Sequence, residues 1–160
     1  MKKLVFSILF SFCVLAFANA QSNAIGVRQQ FNVIGSEYSF NASLQLGISS
    51  LNRVEFGLGF DTYPAFCASA VYQWVFDLSQ LEPGFNWYTG VGGGFLAYGE
   101  KLYPYNKGGA NIGVLGILGM EYNFDFPLQV SVDFCPGFYV GSEPRKNFEF
   151  SIGISARYRF

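Results

Sequence analysis

The sequence contains no histidine. That absence removes the commonest general base and the commonest metal ligand together. Charge is scarce too. Asp, Glu, Lys and Arg make up 13% of the chain, against about 25% in an ordinary soluble domain. A water-exposed surface built at that density would be poorly solvated, which argues against a plain soluble enzyme. The 10 basic and 11 acidic residues leave a formal net charge of −1. No basic stripe of the kind that holds phosphate backbones is present, so nucleic acid is not expected as a partner. Cysteine is rare, at three residues, and proline is ordinary, at six.

Long apolar runs are also missing, with one exception at the start. Lys2 and Lys3 precede an apolar stretch from Leu4 to Phe17, and Ala18-Asn19-Ala20 follows as a small-x-small site. This pattern predicts a cleaved secretory signal peptide over 1–20 and a mature domain over 21–160. A spanning helix wants about 20 apolar residues, and Cys13 is not preceded by a lipoprotein box. Two cysteines then remain, Cys67 and Cys135, in an exported and oxidising compartment. The strand reading below puts them on non-neighbouring strands. It therefore favours two small interior side chains over a bridge.

What is abundant is aromatic residues and glycine. Phe, Tyr and Trp account for 19% of the chain, with 19 glycines. These residues sit in a strict period of two. In the last segment Phe148, Phe150, Ile152, Ile154, Ala156, Tyr158 and Phe160 fall on one face, and the intervening Glu149, Ser151, Gly153, Ser155, Arg157 and Arg159 on the other. Tyr38 to Ile48, Arg53 to Asp61, Phe66 to Asp77 and Leu128 to Cys135 alternate in the same way. Ala24 to Asn32, Phe85 to Tyr98 and Asn111 to Asn123 alternate less cleanly, and Leu115 and Ile117 stand on the otherwise polar face. Turn signals rich in Gly, Ser, Asn and Pro separate the segments. The reading is all-β: eight strands, antiparallel, up-and-down, closed into a transmembrane β-barrel.

Two orientations compete. An apolar interior gives a soluble periplasmic lipocalin-like barrel that binds an apolar ligand. An apolar exterior gives a membrane barrel. The polar faces are mainly Ser, Asn, Gln and Gly rather than the Lys and Glu of a wetted surface, which favours the membrane. The aromatics support this. Trp74, Phe76, Phe85, Trp87, Tyr122 and Phe124, with Phe126, Tyr158 and Phe160, flank three connections and the C-terminus. With both termini in the periplasm all of them map to one interfacial rim, where amphipathic rings settle. The other face then lines a lumen just wide enough for side chains to fill. Arg28, Arg53, Glu55, Glu121, Asp133, Glu149, Arg157 and Arg159, with Glu37, are its charged candidates. Buried charges persist only when paired. An ion-pair cluster is expected, centred on Arg53, Glu55, Glu121, Asp133 and Arg157, with glycines such as Gly119 and Gly153 making room. A narrow porin-like channel is the competing use of the same lumen.

A family resemblance follows from the leader, the alternation and the ending Ile152-Gly153-Ile154-Ser155-Ala156-Arg157-Tyr158-Arg159-Phe160. The chain resembles the small eight-stranded outer-membrane β-barrel proteins of Gram-negative bacteria, in the version common in Bacteroidetes. That resemblance implies a place in the outer membrane, among its lipid and lipopolysaccharide. It also implies assembly by the barrel-assembly machinery with periplasmic chaperones. Phe160, with Tyr158, Ala156 and Ile154 at alternate places, looks like the assembly signal. Phe85-Asn86-Trp87-Tyr88 is read as rim packing. The resemblance fixes no activity, since members of such a fold differ in function.

No enzyme, cofactor or metal is expected. Outer-membrane lipases, acyltransferases and proteases rely on a histidine, which this chain lacks. The run Gly90 to Gly94 has no lysine and no helix after it, so it is not a phosphate loop. Outer-loop contacts are expected from Lys101, Tyr103, Tyr105, Lys107, Arg145 and Lys146, which suit lipopolysaccharide phosphates or a surface ligand. The function expected is a non-enzymatic structural or surface-interaction role.

Overall fold

Side chains at period two point to opposite faces of a strand, and the chain uses that property in eight strands. The structure, a computed structural model, describes residues 23–35, 37–62, 65–98, 109–141 and 148–160. β1 spans Ala24–Asn32, β2 Tyr38–Gly47, β3 Asn52–Asp61, β4 Ala65–Asp77, β5 Phe85–Tyr98, β6 Gly109–Asn123, β7 Leu128–Gly141 and β8 Phe148–Arg159. Each strand pairs antiparallel with its neighbour in sequence, and β1 pairs with β8, so the sheet is a closed barrel. The closing seam runs from Ala24 opposite Arg159 to Asn32 opposite Ser151. Phe160 extends it by donating its backbone N–H to the Asn23 carbonyl at 3.0 Å. Closure leaves no strand edge unpaired.

Both chain ends of the barrel lie at one rim, with the β2–β3, β4–β5 and β6–β7 turns. The opposite rim carries the other four connections. Local chemistry closes the turns. Ile48 and Ser49 both donate to the Asn52 carbonyl, at 2.8 and 3.0 Å. Gly84 has a φ of 88°, and a Cβ there would strike the Asn123 carbonyl. Only glycine suits that corner.

The outward face is apolar and the inward face polar. Phe60 is 66% exposed and Val114 65%, while Gln45 and Gln73 are fully covered. Water-soluble folds show the reverse arrangement. The lipocalin-like alternative is therefore corrected: its apolar face had to line the interior, and here it lies outside.

β7 runs on past the cleanly alternating stretch Leu128 to Cys135, through Pro136 to Gly141. Pro136 lacks an N–H, and β6–β7 pairing lapses there between Leu115–Gly137 and Leu118–Phe134, with the register unchanged. On its other side the strand still pairs, with Pro136 opposite Phe150. Leu115 and Ile117 do face inward. With Val71, Tyr88 and Cys135 they form a small apolar core inside the lumen, against which Val75 and Tyr139 pack. Cys67 and Cys135 both remain thiols.

Candidate functional site

The lumen gathers its charge in one layer. β3 supplies Arg53 and Glu55, two residues apart and so on the same face. β1 brings Arg28, β6 Glu121, β7 Asp133 and β8 Arg157. All six are buried, three arginines against three carboxylates. Arg28 bridges Glu55 at 3.2 Å and Asp133 at 2.5 Å. Arg157 reaches Glu55 at 2.7 Å, and Arg53 reaches Glu121 at 2.6 Å.

Glu55 is the hub. It accepts from Arg28 and Arg157, from the Ser43 hydroxyl at 2.9 Å, and from the Gln45 and Gln73 amides at 3.1 and 2.9 Å. Gln73 also accepts from Arg53 Nε at 2.6 Å, which joins the two groups of ion pairs. Asp133 accepts the Tyr88 hydroxyl at 2.8 Å. The Arg53 guanidinium lies 4.9 Å from the centre of the Tyr88 ring, a cation–π contact. Arg157 donates further to Ser43, Ser131 and Ser155, at 2.7, 2.9 and 3.0 Å. Every strand thus contributes a partner. Removing six charges from water is costly, and only pairing together with satisfied lone pairs and N–H groups offsets it.

Two glycines make this layer possible. A Cβ on Gly119 would come within 2.6 Å of the Tyr88 ring, and one on Gly153 within 2.6 Å of the Asp133 carboxylate.

The layer separates two cavities. One, of about 80 Å³, opens toward the rim away from the termini and is lined by Gln30, Glu37, Cys67, Leu115 and Glu149 among others. The other, of about 150 Å³, opens toward the terminal rim and is lined by Asn52, Arg53, Asn86, Glu121 and Arg159 among others. No residue lines both. Between them lie Gln45, Gln73, Tyr88 and Arg157, all at most 1% exposed. The two cavities thus lie at opposite ends of the lumen, with packed side chains between them.

Placement differs from expectation at three positions. Glu149 lines the outer cavity, away from the central layer. Arg159 sits at the terminal rim, where its Nη2 donates to the Phe124 and Phe126 carbonyls and clamps the β6–β7 turn. Parity, which groups Arg159 with the ion pairs, shows only its face and not its height. Tyr88 is not rim packing. It faces inward, while its neighbours Phe85 and Trp87 face outward. Glu37 also borders the outer cavity, where it accepts from the Asn32 amide at 3.0 Å.

The aromatics form contacts at the terminal rim. Phe76 stacks on Trp87 at 4.2 Å, Tyr72 meets Trp74 edge-on at 5.1 Å, and Tyr122 meets Phe124 at 4.8 Å. A second set, missed by the sequence reading, lies toward the other rim: Phe60 with Phe66, and Phe150 with both Phe134 and Phe148. Ile154, Ala156, Tyr158 and Phe160 are all exposed on the outside of β8. Lys101, Tyr103, Tyr105, Lys107, Arg145 and Lys146 lie outside the described residues, as does the leader over 1–20. Sequence reasoning also overlooked Ser43, Gln45, Gln73 and Ser131 as partners of the charges. Their signal was a polar residue at an inward parity position.

No protein-family model and no curated protein sequence matches the chain. Solved structures do. The N-terminal β-barrel domain of Pseudomonas aeruginosa OprF matches with a TM-score of 0.63 at 12% identity, over 87% of this chain and 98% of that one. A de novo designed transmembrane β-barrel matches with a TM-score of 0.61 at 14% identity, over 86% and 94%. The designed TMB2.3, solved by solution NMR, matches with a TM-score of 0.58 at 11% identity, over 87% and 94%. The chain shares the eight-stranded transmembrane-barrel fold with a natural protein domain and with designed proteins at 11 to 14% identity.

Proposed function

We propose that this chain is an integral outer-membrane β-barrel with a closed lumen and a non-enzymatic structural or surface-interaction role. One observation carries the reading. The barrel exposes its hydrophobic side chains around the outside and buries its polar ones inside, most of them hydrogen-bonded to one another, which is stable only where hydrocarbon surrounds it. The aromatic contacts at both rims suit the two membrane interfaces. The lumen carboxylates are engaged by arginines, which suits a structural plug better than acid–base chemistry. Outer-membrane lipid and lipopolysaccharide are its surroundings, and the basic outer loops suit phosphate groups there. The outward, exposed row from Ile154 to Phe160 on β8 suits recognition by the barrel-assembly machinery. The runner-up, a narrow porin-like channel, needs a water path through the central layer.

The test is reconstitution of residues 21–160 into a planar bilayer with conductance recording. Stable insertion with a silent trace is the expected result. Discrete conductance steps would overturn the closed lumen. A protein that folds in buffer and stays out of the bilayer would overturn the membrane placement.

A further inference from the structure

On the outward face one polar side chain has no answer. Gln29 sits within β1 between Val27 and Phe31, opposite Phe40 of β2 and Ile154 of β8. All four neighbours are exposed hydrophobics. Gln29 is four residues from Ile25 along the strand, about 13 Å at 3.3 Å per residue, within an apolar band about 25 Å tall. Its carboxamide has no hydrogen-bond partner among the described residues. Thr89, the other non-aromatic polar side chain within the outward band, donates to the Ile117 carbonyl at 3.1 Å.

The surface around Gln29 is concave. A groove of about 580 Å³ runs over the β1–β8–β7 face. The register explains its shape. Short side chains, Val27, Ala156 and Val130, lie side by side in one row across β1, β8 and β7. In the next row the flanks are the longer Phe40 on β2 and Met120 on β6.

We propose that this groove is a self-association surface. Two copies pack face to face about a two-fold axis beside Gln29, and the two carboxamides hydrogen-bond to each other. The inference rests on the membrane placement above. A lipid tail fills an apolar groove but offers neither donor nor acceptor, so it leaves the amide unsatisfied where water is absent. A carboxamide carries both a donor and an acceptor. At a two-fold interface a residue near the axis meets its own copy, so an identical chain supplies the complement at the matching depth. Short side chains under the contact let the two backbones approach.

Sedimentation equilibrium of residues 21–160, folded in density-matched micelles, tests this. Insertion is checked separately in phosphatidylcholine vesicles. The wild type is expected to dimerise. Gln29→Leu should weaken the dimer by about tenfold, the scale of a hydrogen bond inside a membrane. Gln29→Asn should retain more of the association than Gln29→Leu. Ala156→Trp, which fills the groove, should leave a monomer, and Leu58→Trp, outward on β3, should dimerise like the wild type. A wild type that inserts but stays monomeric, with lipid or another barrel protein on this face, overturns the proposal and leaves the membrane placement intact. Equal dimerisation of Gln29→Leu and wild type overturns it as well. Failure to insert into vesicles overturns the membrane placement itself.

Discussion

The same eight strands present two faces, and the two treat polar groups in opposite ways. Inside, Glu55 collects five hydrogen bonds from β1, β2, β4 and β8. Outside, Gln29 collects none from the described residues. Bulk water reaches the middle of neither face in a membrane, so solvation does not explain the difference. Geometry does. Around a narrow lumen every inward side chain points at several others, and a charge finds its complement within the chain. On a convex exterior the side chains diverge, and a polar group there waits for a partner from outside. The lesson is that a buried charge becomes structural when the chain surrounds it, and a lone outward amide marks a surface that is incomplete alone.

Three substitutions break or sharpen this comparison. The largest effect belongs to the hub. Glu55→Ala leaves Arg28 and Arg157 without their shared acceptor and should lower stability by about 3–5 kcal/mol. Urea unfolding of the barrel refolded in vesicles reads this, and a loss below about 1 kcal/mol would show that the hub is not what holds the lumen. Next comes the reverse experiment, a charge placed where no partner waits. Val114→Arg, on the outward face of β6, should cost about 2–4 kcal/mol in the same assay if it lies near the bilayer midplane. A neutral result would mean that this face is wetted. The smallest effect has the opposite sign. At dilutions where only monomer is present, Gln29→Leu should leave stability unchanged or raise it by up to about 1 kcal/mol, because it removes an unsatisfied amide from hydrocarbon. A clear destabilisation there would mean that Gln29 already has a partner within the barrel.

How far the sequence could be read depended on the kind of signal. β1 and β5 have the bounds that turn chemistry and alternation predicted, Ala24–Asn32 and Phe85–Tyr98. β7 shows clean alternation only from Leu128 to Cys135 yet runs on to Gly141, because Pro136 faces outward and interrupts pairing only on its β6 side. Tyr88 was hidden by its neighbours. In a run of rim aromatics nothing but parity separates it from Phe85 and Trp87. Arg159 shares a face with Arg157 yet joins a turn instead of an ion pair, because two residues along a strand carry it out of the central layer. The likeness to designed barrels at 11 and 14% identity makes the same point from the other side. The pattern specifies this fold, and many sequences carry the pattern.

What this sequence determined by itself was the number of strands, their alternation, and the division of residues between two faces. These follow from backbone geometry, since successive side chains on any strand must diverge. Which residues meet across the lumen was decided only when the sheet closed. Arg28 and Asp133 are 105 residues apart, and Arg157 and Glu55 are 102. Their meeting depends on the stagger with which β1 joins β8. That stagger sets the height of every inward side chain relative to those opposite, and no local property of a strand encodes it.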